Sequence, residues 1–138
     1  MKFILAYPLS ILAVIGIFYL SLAPPSTFEF VGENVARFPH ADKIVHFAMF
    51  FVLTAVLMYE SVIRNKKTAY PSKNFLLVCI IFPIVLGGII EILQGAFFNR
   101  SACWIDWLAD IAGVLTAWAI FIPLNPLKGT SGSAKNEK

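Results

Sequence analysis

Phe75–Ile90 runs for more than four helical turns without one charged side chain, and Glu91 and Gln94 then follow directly. Three further stretches, Phe3–Ala23, Ile44–Ile63 and Trp104–Leu124, are also dominated by Leu, Ile, Val, Phe and Ala. Roughly 20 apolar residues in a helix cross a 30 Å hydrocarbon core, and a helix satisfies its own backbone hydrogen bonds where no water can. Four such runs fit within 138 residues, of which 59% are hydrophobic and 14% charged. A soluble domain of this size rarely carries that balance. The expectation is an all-α, polytopic membrane protein: a four-transmembrane-helix bundle over residues 1–125, with helices at about 3–23, 44–63, 75–98 and 104–124. The net charge of +3 is dispersed, which argues against nucleic acid as a partner and makes the lysines and arginines topology signals.

Each run has its own punctuation. Phe3–Ala23 ends at Pro24-Pro25; a cleaved signal peptide would be shorter, so an uncleaved first helix is the preferred reading. Residues 24–43 form a polar connection with Gly32 and Pro39 as breakers. Asp42 is placed to cap the second helix, where a negative charge also suits the helix dipole. Pro83 lies inside the third helix, and removal of a backbone donor there predicts a kink. Gly87, Gly88, Glu91, Gln94 and Gly95 recur at three- and four-residue spacing, as one small and polar face open to a neighbouring helix. Asp106, Asp110, Gly113 and Ala117 share a face of the fourth helix, which starts with Trp104 and Trp107 in the style of interfacial aromatics. Pro123 and Pro126 end it, and residues 126–138 read as a disordered cytoplasmic tail. Cys79 and Cys103 fall on opposite halves of the membrane, so no disulfide is expected.

With four helices, both termini and the middle loop share one side. That side holds eight cations (Lys2, Arg64, Lys66, Lys67, Lys73, Lys128, Lys135 and Lys138) against three on the other (Arg37, Lys43 and Arg100). The excess puts both termini in the cytoplasm. This topology gathers the polar residues in the outer third of the membrane. His46 falls in the first turn of helix two, Glu91 and Gln94 in the last turns of helix three, and Asp106 and Asp110 in the first two turns of helix four, with Lys43 and Arg100 just above them. A carboxylate near the bilayer centre costs roughly 2.5–3.5 kcal/mol on insertion-derived scales, so Glu91 calls for a function or a partner.

The series Asp42-Lys43-Ile44-Val45-His46-Phe47, Glu91-Ile92-Leu93-Gln94, Asn99-Arg100-Ser101 and Asp106 with Asp110-Ile111-Ala112-Gly113 resembles the motifs of VanZ-like membrane proteins. Tyr19-Leu20-Ser21-Leu22-Ala23-Pro24 is also similar to that family. The likeness covers most of residues 15–120, and its ordered series is more specific than any single piece. This chain carries Asp110 where the commonest family pattern has Asn, which adds an ionisable group. The resemblance implies a multi-pass protein of the bacterial cytoplasmic membrane. The family's founding member is associated with resistance to the glycopeptide antibiotic teicoplanin, and the resemblance implies no mechanism.

Two functions of different class follow. The preferred one is a non-enzymatic cell-envelope protein whose ligand site comprises Asp42, Lys43, His46, Glu91, Gln94, Arg100, Asp106 and Asp110. Arg100 and Lys43 would meet the head group of an anionic or isoprenoid-linked cell-wall lipid, or a lipoglycopeptide. The alternative is an intramembrane hydrolase or transferase with His46, Glu91 and Asp110 as catalytic candidates, or a small transporter or structural bundle. Burial disfavours charge, so at least one of the carboxylates is expected to be protonated and the group to titrate as a unit. His46 with Glu91, Asp106 and Asp110 offers donors suited to a divalent metal. No compact local metal motif accompanies them, so a hydrogen-bonded polar core is preferred and no metal or other cofactor is expected. A transporter of this length would need to act as a homo-oligomer.

Overall fold

The computed structural model describes residues 7–23, 41–64, 73–97 and 104–122, and these form helices with no strand among them. We label them α1 (Pro8–Leu22), α2 (Ala41–Arg64), α3 (Lys73–Phe97) and α4 (Trp104–Phe121). Residues 24–40, the 98–103 segment with Arg100 and Cys103, and the expected tail at 126–138 lie outside the described residues.

α2 over Ala41–Ile63, α3 and α4 are each long and apolar enough to cross a membrane. α1 has 15 described residues, about 22 Å of helix, shorter than the hydrocarbon core. Its start is set by Pro8, whose fixed φ suits the first helical position and whose missing N–H would have had no partner there. It stops where Ala23 turns extended (φ −65°, ψ 140°), the conformation favoured directly before a proline such as Pro24.

α2 begins at Ala41, three residues earlier than its apolar run, so Asp42 sits inside the first turn rather than ahead of it. It contributes to the dipole there, while its carboxylate turns to Lys43. α3 is not a plain α-helix. Residues Leu77–Ile81 form one π-helical turn, closed by the Phe82 N–H donating to the Leu77 carbonyl. Pro83, two residues on, has no N–H to offer the preceding turn, and the widened turn is how the helix carries it.

α2 and α4 make the most extensive contact, followed by α3 with α4 and α1 with α2. The α2–α4 approach is closest at Gly113, where a Cβ would collide with the Phe47 carbonyl and touch the Phe51 N. Gly113, Val114 and Ala117 are buried along this seam, one or two turns from Asp110. Small residues let backbones meet in this way where lipid gives no hydrophobic drive for association. Gly87 and Gly88 face α4 side chains instead, and Gly95 lies exposed, outside the shared polar face expected for it. Phe50, Leu53, Ile90 and Val114 are fully buried at the centre. Leu12, Ile15, Ile44, Val52, Ile92 and Leu108 are exposed around the outside, the inverse of a soluble bundle.

Candidate functional site

The up-and-down order of the helices gathers the polar side chains at one end, where α2 and α4 begin and α1 and α3 finish. His46 lies on the buried face of α2, one residue before the Phe47 carbonyl that meets Gly113. Asp110 lies one turn before Gly113 on α4 and is fully buried. The close backbone approach therefore brings the two together: His46 Nδ1 is 3.0 Å from Asp110 Oδ1. Glu91, on the buried face of α3, completes the group, with Oε1 3.9 Å from the same His46 nitrogen. One donor atom from each of His46, Glu91 and Asp110 lies within 4.8 Å of the others, and all three residues are buried.

Gly87, one turn before Glu91, belongs to this geometry. A Cβ there would sit 2.6 Å from Asp110 Oδ2 and 3.2 Å from Asp110 Cβ, so the carboxylate occupies the space a side chain would have taken. Asp110 Oδ2 is buried and has no hydrogen-bond partner among the described residues.

Above the cluster sits a separate pair of contacts. Lys43 Nζ lies 2.9 Å from Asp106 Oδ1 and 3.0 Å from Asp42 Oδ2. Asp42, with 56% of its side chain exposed, is at the rim. The sequence places Lys43 over the site as a free cation for a head group; instead two carboxylates share it. Asp106 is thereby held apart from the His46 group with which the sequence associates it. Arg100 lies outside the described residues.

Gln94, one turn beyond Glu91, donates from Nε2 to the Ser21 carbonyl at 2.7 Å. Ser21 is in the last turn of α1, where carbonyls have no partner within the helix, so Gln94 pins α1 to α3. Trp107 turns inward rather than to an interface: its Nε1–H donates to the Ile84 carbonyl at 3.0 Å, and its ring covers Gly88 at 3.4 Å from where a Cβ would be. Trp104 packs edge-on against it with ring centroids 6.0 Å apart. Between these rings and α3 runs a groove of about 470 Å³, lined by apolar residues such as Val85, Ile89 and Ile92, with Glu91 as its ionisable group. It opens on the apolar outer surface of the bundle.

The sequence model of the VanZ/LLP1 family matches residues 4–125. The chain belongs to the VanZ/LLP1 family. No curated protein and no solved structure matches it. Membership together with the spanning helices makes this a VanZ-like membrane protein. The matched region contains both the His46–Glu91–Asp110 group and the groove beside it.

Sequence reasoning missed a second polar group at the opposite end of this VanZ-like bundle. Glu60 of α2 is buried, and its carboxylate accepts the Leu9 N–H (2.9 Å), the Ser10 N–H (3.1 Å) and the Ser10 hydroxyl. It supplies acceptors for the unpaired first turn of α1 from another helix. Nearby, Ser61 Oγ lies 3.4 Å from both the Tyr7 hydroxyl and Cys79 Sγ. A charged residue inside an apolar run was the available signal, and it carried as much weight at Glu60 as at Glu91.

Proposed function

We propose that this protein binds an amphipathic lipid from within the membrane, its chain in the α3–α4 groove and its polar end at Glu91, His46 and Asp110. The observation that carries the reading is the groove itself: an apolar channel on a lipid-facing surface whose lining includes a buried carboxylate. Pockets of several hundred cubic ångströms with few, convergent polar groups are the usual form of a small-molecule site. Water would not favour this lining, whereas a hydrocarbon chain would replace its lipid contacts with equivalent ones. The aromatic rings of Trp104 and Trp107 form one wall and shape the groove for a single chain.

The site lies in the outer-leaflet half under the cation-count topology, where isoprenoid-linked cell-wall precursors and lipoglycopeptides are met. Such ligands give the reading its connection to glycopeptide resistance. Because Lys43 is shared by Asp42 and Asp106, it holds these helix ends together rather than receiving the head group.

Native mass spectrometry of protein extracted in mild detergent tests this reading. We expect one retained lipid per chain, depleted about tenfold in Ile89→Trp, which fills the groove from an exposed position, and in Glu91→Gln. Lipid retention equal in all three folded proteins would refute it.

A further inference from the structure

We propose that His46, Glu91 and Asp110 form a binding site for one divalent transition-metal ion. Three observations converge on this. First, the three side chains come from three different helices, and one donor atom of each falls within 4.8 Å of the others. A tetrahedral ion at about 2.0–2.2 Å from nitrogen and oxygen donors needs them about 3.4 Å apart. The observed 3.0 and 3.9 Å separations from His46 Nδ1 bracket that value, and the third pair of donors lies within 4.8 Å.

Second, Asp110 is fully buried, yet its Oδ2 has no hydrogen-bond partner among the described residues. A buried carboxylate oxygen left in this state carries a desolvation cost with nothing to offset it. The space for it is made by Gly87, so the oxygen is accommodated without being satisfied. A cation held by the Asp110 carboxylate would offset that cost.

Third, the donor set selects the ion. Magnesium and calcium take six or more oxygens, whereas one imidazole with two carboxylates suits zinc, manganese or ferrous iron. Three protein ligands leave a coordination position open, as at zinc sites that bind a further molecule. Lys43 does not compete for the place, being held by Asp42 and Asp106. In the metal-free protein a proton occupies the His46–Asp110 contact; the ion displaces it, so uptake releases protons.

Glu91 belongs to both the cluster and the groove lining, so the ion lies where a lipid's polar end would come. This deepens the lipid reading and rests on it in one respect: the metal would let a carboxylate-rich site hold an anionic head, a phosphate above all. The metal site itself stands on the side-chain geometry alone.

The test uses the full chain in mild detergent, stripped with a chelator and dialysed against Zn²⁺ and, separately, Co²⁺. We expect about one Zn²⁺ per chain by elemental mass spectrometry and the visible absorption of four-coordinate Co²⁺. His46→Ala and Asp110→Asn should fall below a tenth of an equivalent, whereas Gly16→Ala, where a side chain would meet none of the described residues within 4 Å, should match the parent. Less than a tenth of an equivalent in the folded parent overturns the proposal, as does Zn²⁺ content unchanged by both substitutions. If one variant fails to fold, the other decides, with loss of the four-coordinate Co²⁺ absorption in it as the second readout of the same site. Lipid measured on the same samples separates the two readings. Lipid lost in Ile89→Trp without any bound metal removes only the ion, and a full equivalent of metal without lipid removes only the groove's occupant.

Discussion

Gly113 of α4 lies directly against the Phe47 carbonyl of α2, in a space that admits no Cβ. His46 precedes Phe47 and Asp110 precedes Gly113 by one turn, so this backbone contact sets the 3.0 Å approach of two residues 64 positions apart. Gly113→Ala must push the helices apart against a rigid backbone atom. Overpacking of this kind costs about 1–3 kcal/mol, more than the helix propensity gained from alanine. The thermal midpoint of the detergent-solubilised protein should fall in Gly113→Ala and hold within a degree or two in Gly16→Ala.

Gly87 and Gly88 are neighbours in sequence with different duties, and alanine should separate them. At Gly87 the new carbon would meet Asp110 Oδ2 at 2.6 Å, and at Gly88 it would meet Trp107 at an ordinary 3.4 Å. Gly87→Ala should move the Asp110 carboxylate off His46, cost about 1–2 kcal/mol and shift the His46 imidazole nitrogen resonances. Gly88→Ala should leave those resonances in place.

Glu60 supplies two oxygens to three donors of α1. Glutamine retains its shape but has one acceptor oxygen, so at least one donor loses its partner. The loss should amount to about 1–3 kcal/mol, confined to the start of α1. Faster hydrogen exchange of the Leu9 and Ser10 amides in Glu60→Gln, with α4 unchanged, is the expected result. Uniform exchange across all helices would show that the bond supports the whole bundle.

At the other end of α1, Gln94→Leu removes the 2.7 Å bond to the Ser21 carbonyl. Interhelical hydrogen bonds in membranes contribute about 0.6–1.7 kcal/mol, so the bundle should remain folded with a modest loss of stability. Accessibility of a cysteine probe placed at Tyr19, an exposed position, reports whether the end of α1 has loosened.

The family, the helical class and the membrane setting were legible in the chain because lipid imposes a length and a composition on any helix that crosses it. Glu91, His46 and Asp110 stood out for the same reason: ionisable groups are conspicuous in apolar runs. Their helix registers already put them at one end. Other features depended on which atoms meet across helices. Lys43 read as a free cation until Asp42 and Asp106 were found on either side of it. Glu60 was as conspicuous in its apolar run as Glu91, but its partners, two backbone amides and a hydroxyl some 50 residues away, leave no mark in a sequence. Pro83 announced an irregular helix, but only the helix as packed settles on a π turn as the way to absorb it. Spacing could place Gly87 and Gly113 on helix faces; it could not say that one makes room for a carboxylate and the other for a carbonyl. Hydrophobic period and length are properties of one segment, and the chain states them; close approach is a property of two segments, and only their packing decides it.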